Sequence, residues 1–277
     1  MLQAREYQIE PIRKGIEFLE SGSADTAIMV LPTAAGKSVI IALIANEIKG
    51  KIVVLQPSVE LLNQNYGKYL DAEGEGAAVY SASKNSREHG RVCFATIGTI
   101  KNIGKDFAEY DYLIIDECDR QPRGLESMLA KFLRDSGIKV VLGLTATPFK
   151  LQQNYDLNGN VFSKLVMLTS RSKMGQFYKK IIHITQIQEI VELGFWADIN
   201  YEVISVDESE LELNSAKSEY TEDSIRRVYD ANDTQEMILE ALRQNPDRRS
   251  VLIFVPSVEE AYILSDMIPG SKVIEAN

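Results

Sequence analysis

The stretch from Thr26 to Ser38 reads TAIMVLPTAAGKS, and it decides the fold. Its first half is mostly apolar, which is typical of a strand buried in a parallel sheet, and a helical pattern follows it. Between them, Gly36-Lys37-Ser38 fits the end of the phosphate-loop pattern G-x-x-x-x-G-K-[ST], although Leu31 replaces the first glycine. Backbone N–H groups in such a turn and the N-terminus of the next helix attract phosphate. We therefore expect Lys37 to neutralise nucleotide phosphates and Ser38 to ligate Mg²⁺. A chance Gly-Lys-Ser turn is the alternative.

A pair of acids follows a second apolar run. Tyr112–Ile115 leads into Asp116 and Glu117, which places two carboxylates at the carboxyl end of a predicted strand. An aspartate in this position holds Mg²⁺ through water, and Glu117 is the predicted general base for the attacking water. Acids at strand ends are also common as solvated loop residues. The order along the chain, with the phosphate loop first and the acids about 80 residues later, favours the catalytic interpretation.

Apolar runs and helical patterns alternate over the first two thirds of the chain. Further strands are predicted at Lys51–Leu55, Val92–Ala95, Lys139–Leu144 and Ile181–Thr185. Helices are predicted at Ser38–Ile48, Val59–Leu70, Leu125–Arg134 and Ile187–Leu193. This alternation indicates an α/β doubly wound domain with a mostly parallel sheet, whose ligands bind at the carboxyl ends of the strands. The polar segment Lys150–Gln176 is predicted to be a long excursion.

Six motifs carry a family resemblance. They are AREYQ (Ala4–Gln8), LPTAAGKS (Leu31–Ser38), VLQPSVELLNQ (Val54–Gln64), ATIGTI (Ala95–Ile100), IIDECD (Ile114–Asp119) and GLTATPF (Gly143–Phe149). In this order and spacing the chain resembles a superfamily 2 DEAD/DEAH-type helicase, most closely the RadD-like group. Two residues depart from the usual pattern, because Ala34 stands where glycine is usual and Asp119 where many relatives have histidine.

The resemblance implies a RecA-like domain that uses ATP and Mg²⁺, and it assigns roles to matching residues. Thr33, Ala34, Ala35, Gly36, Lys37, Ser38 and Asp116 would hold Mg·ATP, and Arg5, Tyr7 and Gln8 would surround adenine. Thr145 and Thr147 would couple the nucleotide site to a second domain. A nucleic-acid backbone would touch Pro57, Ser58, Thr96, Gly98 and Thr99, because small hydroxyls and exposed amides bind phosphate without reading sequence. Without the family, these are ordinary helix-start, capping and turn residues.

The last third of the chain begins with an acidic segment, 207–219, predicted to be a linker. A helix at Glu222–Gln244, a strand at Ser250–Val255, a helix at Val258–Ile268 and a strand at Lys272–Ile274 follow. We predict a RecA-like helicase ATP-binding domain at 1–206, a linker with a connecting helix at 207–249, and the incomplete start of a second RecA-like domain at 250–277. No arginine-finger motif precedes Asn277, so we expect a shortened chain that binds ATP but hydrolyses it slowly.

Composition narrows the class of protein. The 277 residues are 45% apolar and 25% charged, as in a globular protein, and no signal peptide or membrane span is visible. Two cysteines do not make a zinc site, and cytoplasmic localisation is expected. The net charge of −10 argues against a general polyanion binder but permits a narrow groove, with DNA expected rather than RNA. The acid-free stretch 157–188 offers a candidate for an additional contact through Phe177, Tyr178, Lys179 and Lys180. A solvated loop with two core aromatic residues is the alternative.

Together these observations predict the ATP-binding motor domain of a nucleic-acid-dependent ATPase or helicase. Two alternatives stay open, a catalytically idle nucleotide-binding interaction module and a fragment of a restriction-type motor subunit. A metabolic P-loop kinase fits poorly, because it would not need the motifs at Val54–Gln64, Ala95–Ile100 and Gly143–Phe149.

Overall fold

The structure is a computed structural model that describes residues 2–120, 127–155, 161–171, 177–197, 200–214 and 220–275. The chain divides into two compact units, Met1–Asp198 and Ile199–Asn277. Within the described ranges, no helix combines the length and apolar character needed to cross a membrane.

An eight-stranded sheet forms the centre of the first unit. Its strands are β1 (Thr26–Val30), β2 (Ile52–Gln56), β3 (Ala77–Ser81), β4 (Ser86–Arg87), β5 (Val92–Thr96), β6 (Tyr112–Ile115), β7 (Val140–Thr145) and β10 (Lys180–Ile184). The order across the sheet is β10-β1-β7-β6-β2-β5-β3-β4, and all pairs are parallel except β3 with β4. The predicted α/β fold with a mostly parallel sheet is confirmed.

Helices cover both faces of this sheet. They are α1 (Glu6–Glu20), α2 (Lys37–Glu47), α3 (Val59–Asp71), α4 (Ile97–Ile100), α5 (Met128–Ser136) and α6 (Ile187–Glu192). Alternate residues of β1 face opposite layers: Ala27 and Met29 join a core with α1, α2 and α3, whereas Ile28 and Val30 join a core with α4 and α5. Because both faces are buried, the strands are apolar throughout, which is why the sequence revealed most of them.

Other elements of the first unit differ from the sequence prediction. A hairpin of β8 (Phe149–Tyr155) and β9 (Val161–Met167) pairs Phe149 with Met167, so the predicted long excursion contains two strands that the sequence analysis did not identify. Residues 156–160 and 172–176 of that excursion lie outside the described residues. The two strands form a sheet of their own, outside the main sheet. The predicted helix at Leu125–Arg134 starts at Met128 among the described residues, and α1, β3 and β4 had not been predicted as elements.

The second unit contains α7 (Glu222–Ala231), α8 (Thr234–Gln244) and α9 (Val258–Met267). The single helix predicted at Glu222–Gln244 is interrupted, because Asp233 adopts a left-handed conformation with φ +49°. The strands predicted at Ser250–Val255 and Lys272–Ile274 are not formed in the described part of this unit. Strands are held by hydrogen bonds to a neighbour, and neither segment has a paired neighbour there.

Gly143 in β7 has no room for a side chain. A Cβ there would lie 2.7 Å from the Sγ and 2.9 Å from the Cβ of buried Cys118. We expect Gly143→Ala to lower the free energy of unfolding in urea by about 1–3 kcal/mol through overpacking. Gly67→Ala in α3, whose Cβ would meet nothing within 4 Å, is the matched control and should raise that free energy by up to ~1 kcal/mol. Unchanged stability of the Gly143 variant would contradict the packing.

Candidate functional site

The candidate site lies along the carboxyl edge of the parallel sheet. The phosphate loop follows β1, and the segments after β7, β6, β2 and β5 follow in that order across the sheet. Because these strands are parallel, their carboxyl ends share one edge, and loops that are distant in sequence become neighbours. All residues predicted to bind nucleotide, metal or nucleic acid belong to the first unit.

The phosphate loop turns sharply before α2. Ala34 and Gly36 have φ values of +60° and +79°, and Gly36 is the N-cap of α2, which begins at Lys37. A Cβ at Gly36 would lie 2.4 Å from the Gln8 Nε2 atom, so glycine is required there for space as well as conformation. Thr33 is exposed and Ala35 is buried. The turn directs the positive end of the α2 dipole toward this edge, which suits an anion.

The predicted cation and the predicted base meet directly. The Lys37 Nζ atom lies 3.1 Å from the Glu117 Oε1 atom, with 11% and 22% of the two side chains exposed. This partial burial reduces the screening of the pair by water. Glu117 adopts φ +47°, a conformation that is strained for a non-glycine residue. A lysine and a base therefore share the space next to the phosphate loop.

Asp116 is buried and both of its carboxylate oxygens accept hydrogen bonds. Oδ1 accepts from the Glu117 N–H at 3.0 Å, and Oδ2 accepts from the Asn65 Nδ2 atom at 2.8 Å. Burial raises the pKa of the Asp116 carboxyl above its ordinary value, and the hydrogen bond from Asn65 opposes that shift. Ser38 is also buried, and its Oγ atom accepts from the Gln64 Nε2 atom at 3.1 Å.

The oxygen donors fit a hard divalent cation. Mg²⁺ prefers oxygen ligands and is usually held by one or two protein groups together with phosphate oxygens and water. Ser38 and Asp116 supply a hydroxyl and a carboxylate of this kind. Among the described residues, no group of three or more His, Cys, Asp and Glu side chains could hold a metal alone. The donor set therefore suits a cation that arrives with a nucleotide.

Two of the three residues predicted to surround adenine, Tyr7 and Gln8, already make contacts within the protein. The Gln8 Oε1 atom accepts from the Arg5 N–H at 2.9 Å, and its Nε2 atom donates to the Ala35 carbonyl at 2.8 Å. Gln8 therefore ties the start of α1 to the phosphate loop. Tyr7 is buried and packs edge-on against Phe195 at 5.2 Å between ring centroids, and the Arg5 guanidinium lies 4.9 Å from that centroid. Phe195, which follows α6, carries no motif and was missed by the sequence analysis.

Thr145 and Thr147 are joined to the acidic motif through Asp119. The Thr145 Oγ1 atom donates to Asp119 Oδ1 at 2.6 Å, and the Thr147 Oγ1 atom donates to Asp119 Oδ2 at 3.2 Å. The Thr147 N–H donates to Thr145 Oγ1 at 2.9 Å. Asp119, which stands where many relatives have histidine, thus accepts the hydrogen bonds that connect the loops after β6 and β7.

The residues predicted to touch nucleic acid lie after β2 and β5. Ser58 is the N-cap of α3, and its Oγ atom accepts from the Leu61 N–H at 3.3 Å, so it has a capping role. The hydroxyls of Thr96 and Thr99 are 3.0 Å apart, Pro57 is half-buried, and Gly98 is exposed. A Cβ on Gly98 would meet nothing within 4 Å. The edge beside α4 is therefore open to an approaching ligand.

The additional contact predicted around Lys179 and Lys180 is contradicted in its aromatic part. Tyr178 is fully buried, and Phe177 packs against the same core. The Lys180 Nζ atom lies 3.4 Å from Asp25 Oδ2 and 5.2 Å from the Phe18 ring centroid. The alternation of apolar and polar residues along a strand does not reveal that the two rings are buried, because both rings precede β10, which begins at Lys180. The rings belong to the core and are not a stacking surface.

Comparison with known proteins gives a family match for the first half of the chain. A family model described as type III restriction enzyme, res subunit, matches residues 1–150. Comparison with curated proteins gives no match.

Among solved structures, the DNA-bound type ISP restriction-modification enzyme LlaBIII aligns at 17% identity with a TM-score of 0.51, over 75% of this chain and 16% of that chain. The UvsW helicase from bacteriophage T4 aligns at 20% identity and TM-score 0.42, over 52% of each chain. The Sulfolobus solfataricus SWI2/SNF2 ATPase core aligns at 18% identity and TM-score 0.42, over 53% of this chain and 32% of that chain. The chain thus spans about half or less of each of these structures. The LlaBIII likeness supports the fold.

Ala34 provides a test of the strained phosphate loop. Its left-handed conformation costs an L-residue about 1–2 kcal/mol, whereas glycine adopts it freely. An opposing effect is that glycine has more conformational freedom in the unfolded chain, which lowers the free energy of unfolding by about 0.4–1 kcal/mol. We therefore expect Ala34→Gly to raise the free energy of unfolding by a net ~0.5–1 kcal/mol, measured in urea without nucleotide. Ala35→Gly, whose φ is not positive, is the control and should lower it. A loss of stability in both variants would contradict this account of the loop.

Proposed function

The chain belongs to the type III restriction enzyme res subunit family, and on that basis we propose that it is the Mg·ATP-binding motor domain of a nucleic-acid-dependent ATPase. The observation that carries the proposal is the contact of Lys37 with Glu117 next to the phosphate loop. Ser38 and Asp116 stand beside this pair as oxygen donors. A phosphate-binding cation, a base and two metal ligands are among the groups that ATP hydrolysis requires.

In the proposed reaction, Lys37 exchanges Glu117 for the β- and γ-phosphate oxygens of ATP. The Glu117 carboxylate then accepts a proton from the water that attacks the γ-phosphorus. The bond from this phosphorus to the β–γ bridging oxygen breaks, leaving ADP and phosphate. The Ser38 hydroxyl and, through water, Asp116 would hold Mg²⁺, which would supply positive charge to the phosphates. Backbone amides at Gly36 and the N-terminus of α2 contribute further positive potential.

Adenine is proposed to bind beside Arg5 and Phe195. A guanidinium and an aromatic ring offer flat surfaces on which a base stacks. Tyr7 supports the Phe195 ring from its edge. Gln8 already donates to the Ala35 carbonyl, so a base that recruits the Gln8 amide would alter a contact of the phosphate loop. Base recognition and phosphate binding would then be linked through one side chain.

Nucleic acid is proposed to bind across the segments after β2 and β5, through Pro57, Ser58, Thr96, Gly98 and Thr99. Thr145 and Thr147 would relay the nucleotide state to a second domain, and Asp119 joins them to the acidic motif. We propose DNA rather than RNA as the polymer, because LlaBIII was solved bound to DNA. The family match favours a restriction-type motor among the alternatives, whereas the motifs favour the RadD-like group. The proposed domain bounds remain 1–206, 207–249 and 250–277.

Two substitutions separate binding from turnover. Lys37→Ala should weaken ATP binding at least tenfold, because it removes the cation that faces the phosphates. Glu117→Gln should bind ATP as well as the wild type or better, because it also removes the partner that competes for Lys37. Its turnover should fall by about 10²-fold or more, since the amide accepts no proton. Fluorescent-nucleotide titration and steady-state phosphate release measure the two effects. Equal loss of binding in both variants would mean that Glu117 is structural.

Phe195 tests the adenine site. Phe195→Ala should weaken ADP binding several-fold, because stacking on an aromatic or cationic surface contributes about 0.5–1 kcal/mol. Affinity for pyrophosphate, which carries no base, should not change in the same variant. Competition titrations against a fluorescent nucleotide measure both. A parallel loss of pyrophosphate affinity would show that the ring supports the fold and not the base.

A further inference from the structure

Helix α3 presents two neighbouring amides to the two predicted cation ligands. Gln64 Nε2 donates to Ser38 Oγ at 3.1 Å, and Asn65 Nδ2 donates to Asp116 Oδ2 at 2.8 Å. Ser38 lies at the start of α2 and Asp116 at the end of β6, so one helix contacts both ligands from elements far apart in sequence. Neither amide was assigned a role in the site by the sequence analysis.

We propose that Asn65, assisted by Gln64, is a positioning residue for the divalent cation; the inference rests on the proposed function. The Glu117 N–H and the Asn65 amide hold opposite oxygens of the Asp116 carboxylate and thereby fix the plane of the ligand. The Gln64 amide occupies one lone pair of Ser38 Oγ and orients the other. Partners that orient a ligand in this way are known to control metal affinity in proteins.

The burial of a polar side chain at Asn65 indicates that its amide is needed in the site. Asn65 is fully buried, and its Oδ1 atom has no hydrogen-bond partner among the described residues. An unpaired buried amide oxygen is unfavourable, and its cost is offset by the donor that the same amide provides to buried Asp116. The Asn65 side chain thus acts on the site through the bond from its Nδ2 atom to the Asp116 carboxylate.

Helix α3 also connects the cation ligands with the proposed nucleic-acid contact. Ser58 is its N-cap, and Asn65 lies seven residues further, about 10 Å along a rigid helix. A displacement of Ser58 by a bound polymer would therefore be transmitted to Gln64 and Asn65. Helix α3 would then link the proposed nucleic-acid contact to the proposed cation ligands.

The test measures how strongly Mg²⁺ enhances nucleotide binding. The affinity of the 277-residue chain for a fluorescent ADP is determined with saturating Mg²⁺ and with EDTA, and the ratio is the Mg²⁺ enhancement. Asn65→Leu, close in size but without a donor, should reduce this ratio about tenfold or more and leave affinity in EDTA within about twofold. Gln64→Leu, at an exposed position that is not packed in the core, should reduce it less. Asn63→Leu, exposed on the same helix, is the matched control and should leave the ratio unchanged.

A second readout is the affinity of Mn²⁺ for the complex with ADP, measured by electron paramagnetic resonance. This affinity should fall most in Asn65→Leu, less in Gln64→Leu and not at all in Asn63→Leu. An unchanged ratio in both Asn65→Leu and Gln64→Leu would overturn the inference. So would a loss of affinity in EDTA equal to the loss in Mg²⁺, because that pattern indicates general damage to the site. If the wild type binds no nucleotide under either condition, the proposed function itself fails.

Discussion

The burial of both faces of a parallel sheet is the constraint on which the rest of this structure depends. Helices on each side remove the strands from water, so polar chemistry is confined to the strand ends. The carboxyl ends of β1, β7, β6, β2 and β5 lie at one edge because these strands are parallel. The phosphate loop, the acids and the threonines therefore converge, although they are spread along most of the first unit. A solvated antiparallel sheet would impose no such convergence.

Charge at this edge is balanced by a small number of direct contacts. Asp116 is buried and depends on donors from Asn65 and Glu117, because an unsatisfied carboxylate in this position would be costly. Lys37 and Glu117 neutralise each other at the mouth of the phosphate loop. Nucleotide phosphates would compete for Lys37, and in doing so they would release the base. In the proposed reaction, the same pair would hold the lysine and the base in place until nucleotide binds.

Conformational strain is concentrated in the same place. Ala34, Gly36 and Glu117 all have positive φ, and two of them are not glycine. Such residues persist only where surrounding contacts hold them, and here Gln8 contacts the loop at Ala35 while the Lys37 pair holds Glu117. The family's usual glycine at position 34 would remove part of this strain. The loop is thus shaped by its neighbours as well as by its own sequence.

The sequence by itself determined six of the eight strands of the main sheet and located the strand-end motifs, because buried strands and strand-end motifs are local patterns. It missed the hairpin of β8 and β9, which forms a separate sheet, and it predicted strands at 250–255 and 272–274 that lack paired neighbours among the described residues. It also gave no role to Gln64, Asn65 or Phe195, because their partners lie on other elements. Only the tertiary structure decided which donors orient Asp116, which ring meets Arg5, and that Tyr178 is core. These are contacts between segments distant in the chain, and their geometry is fixed by packing, which no local spacing of residues encodes.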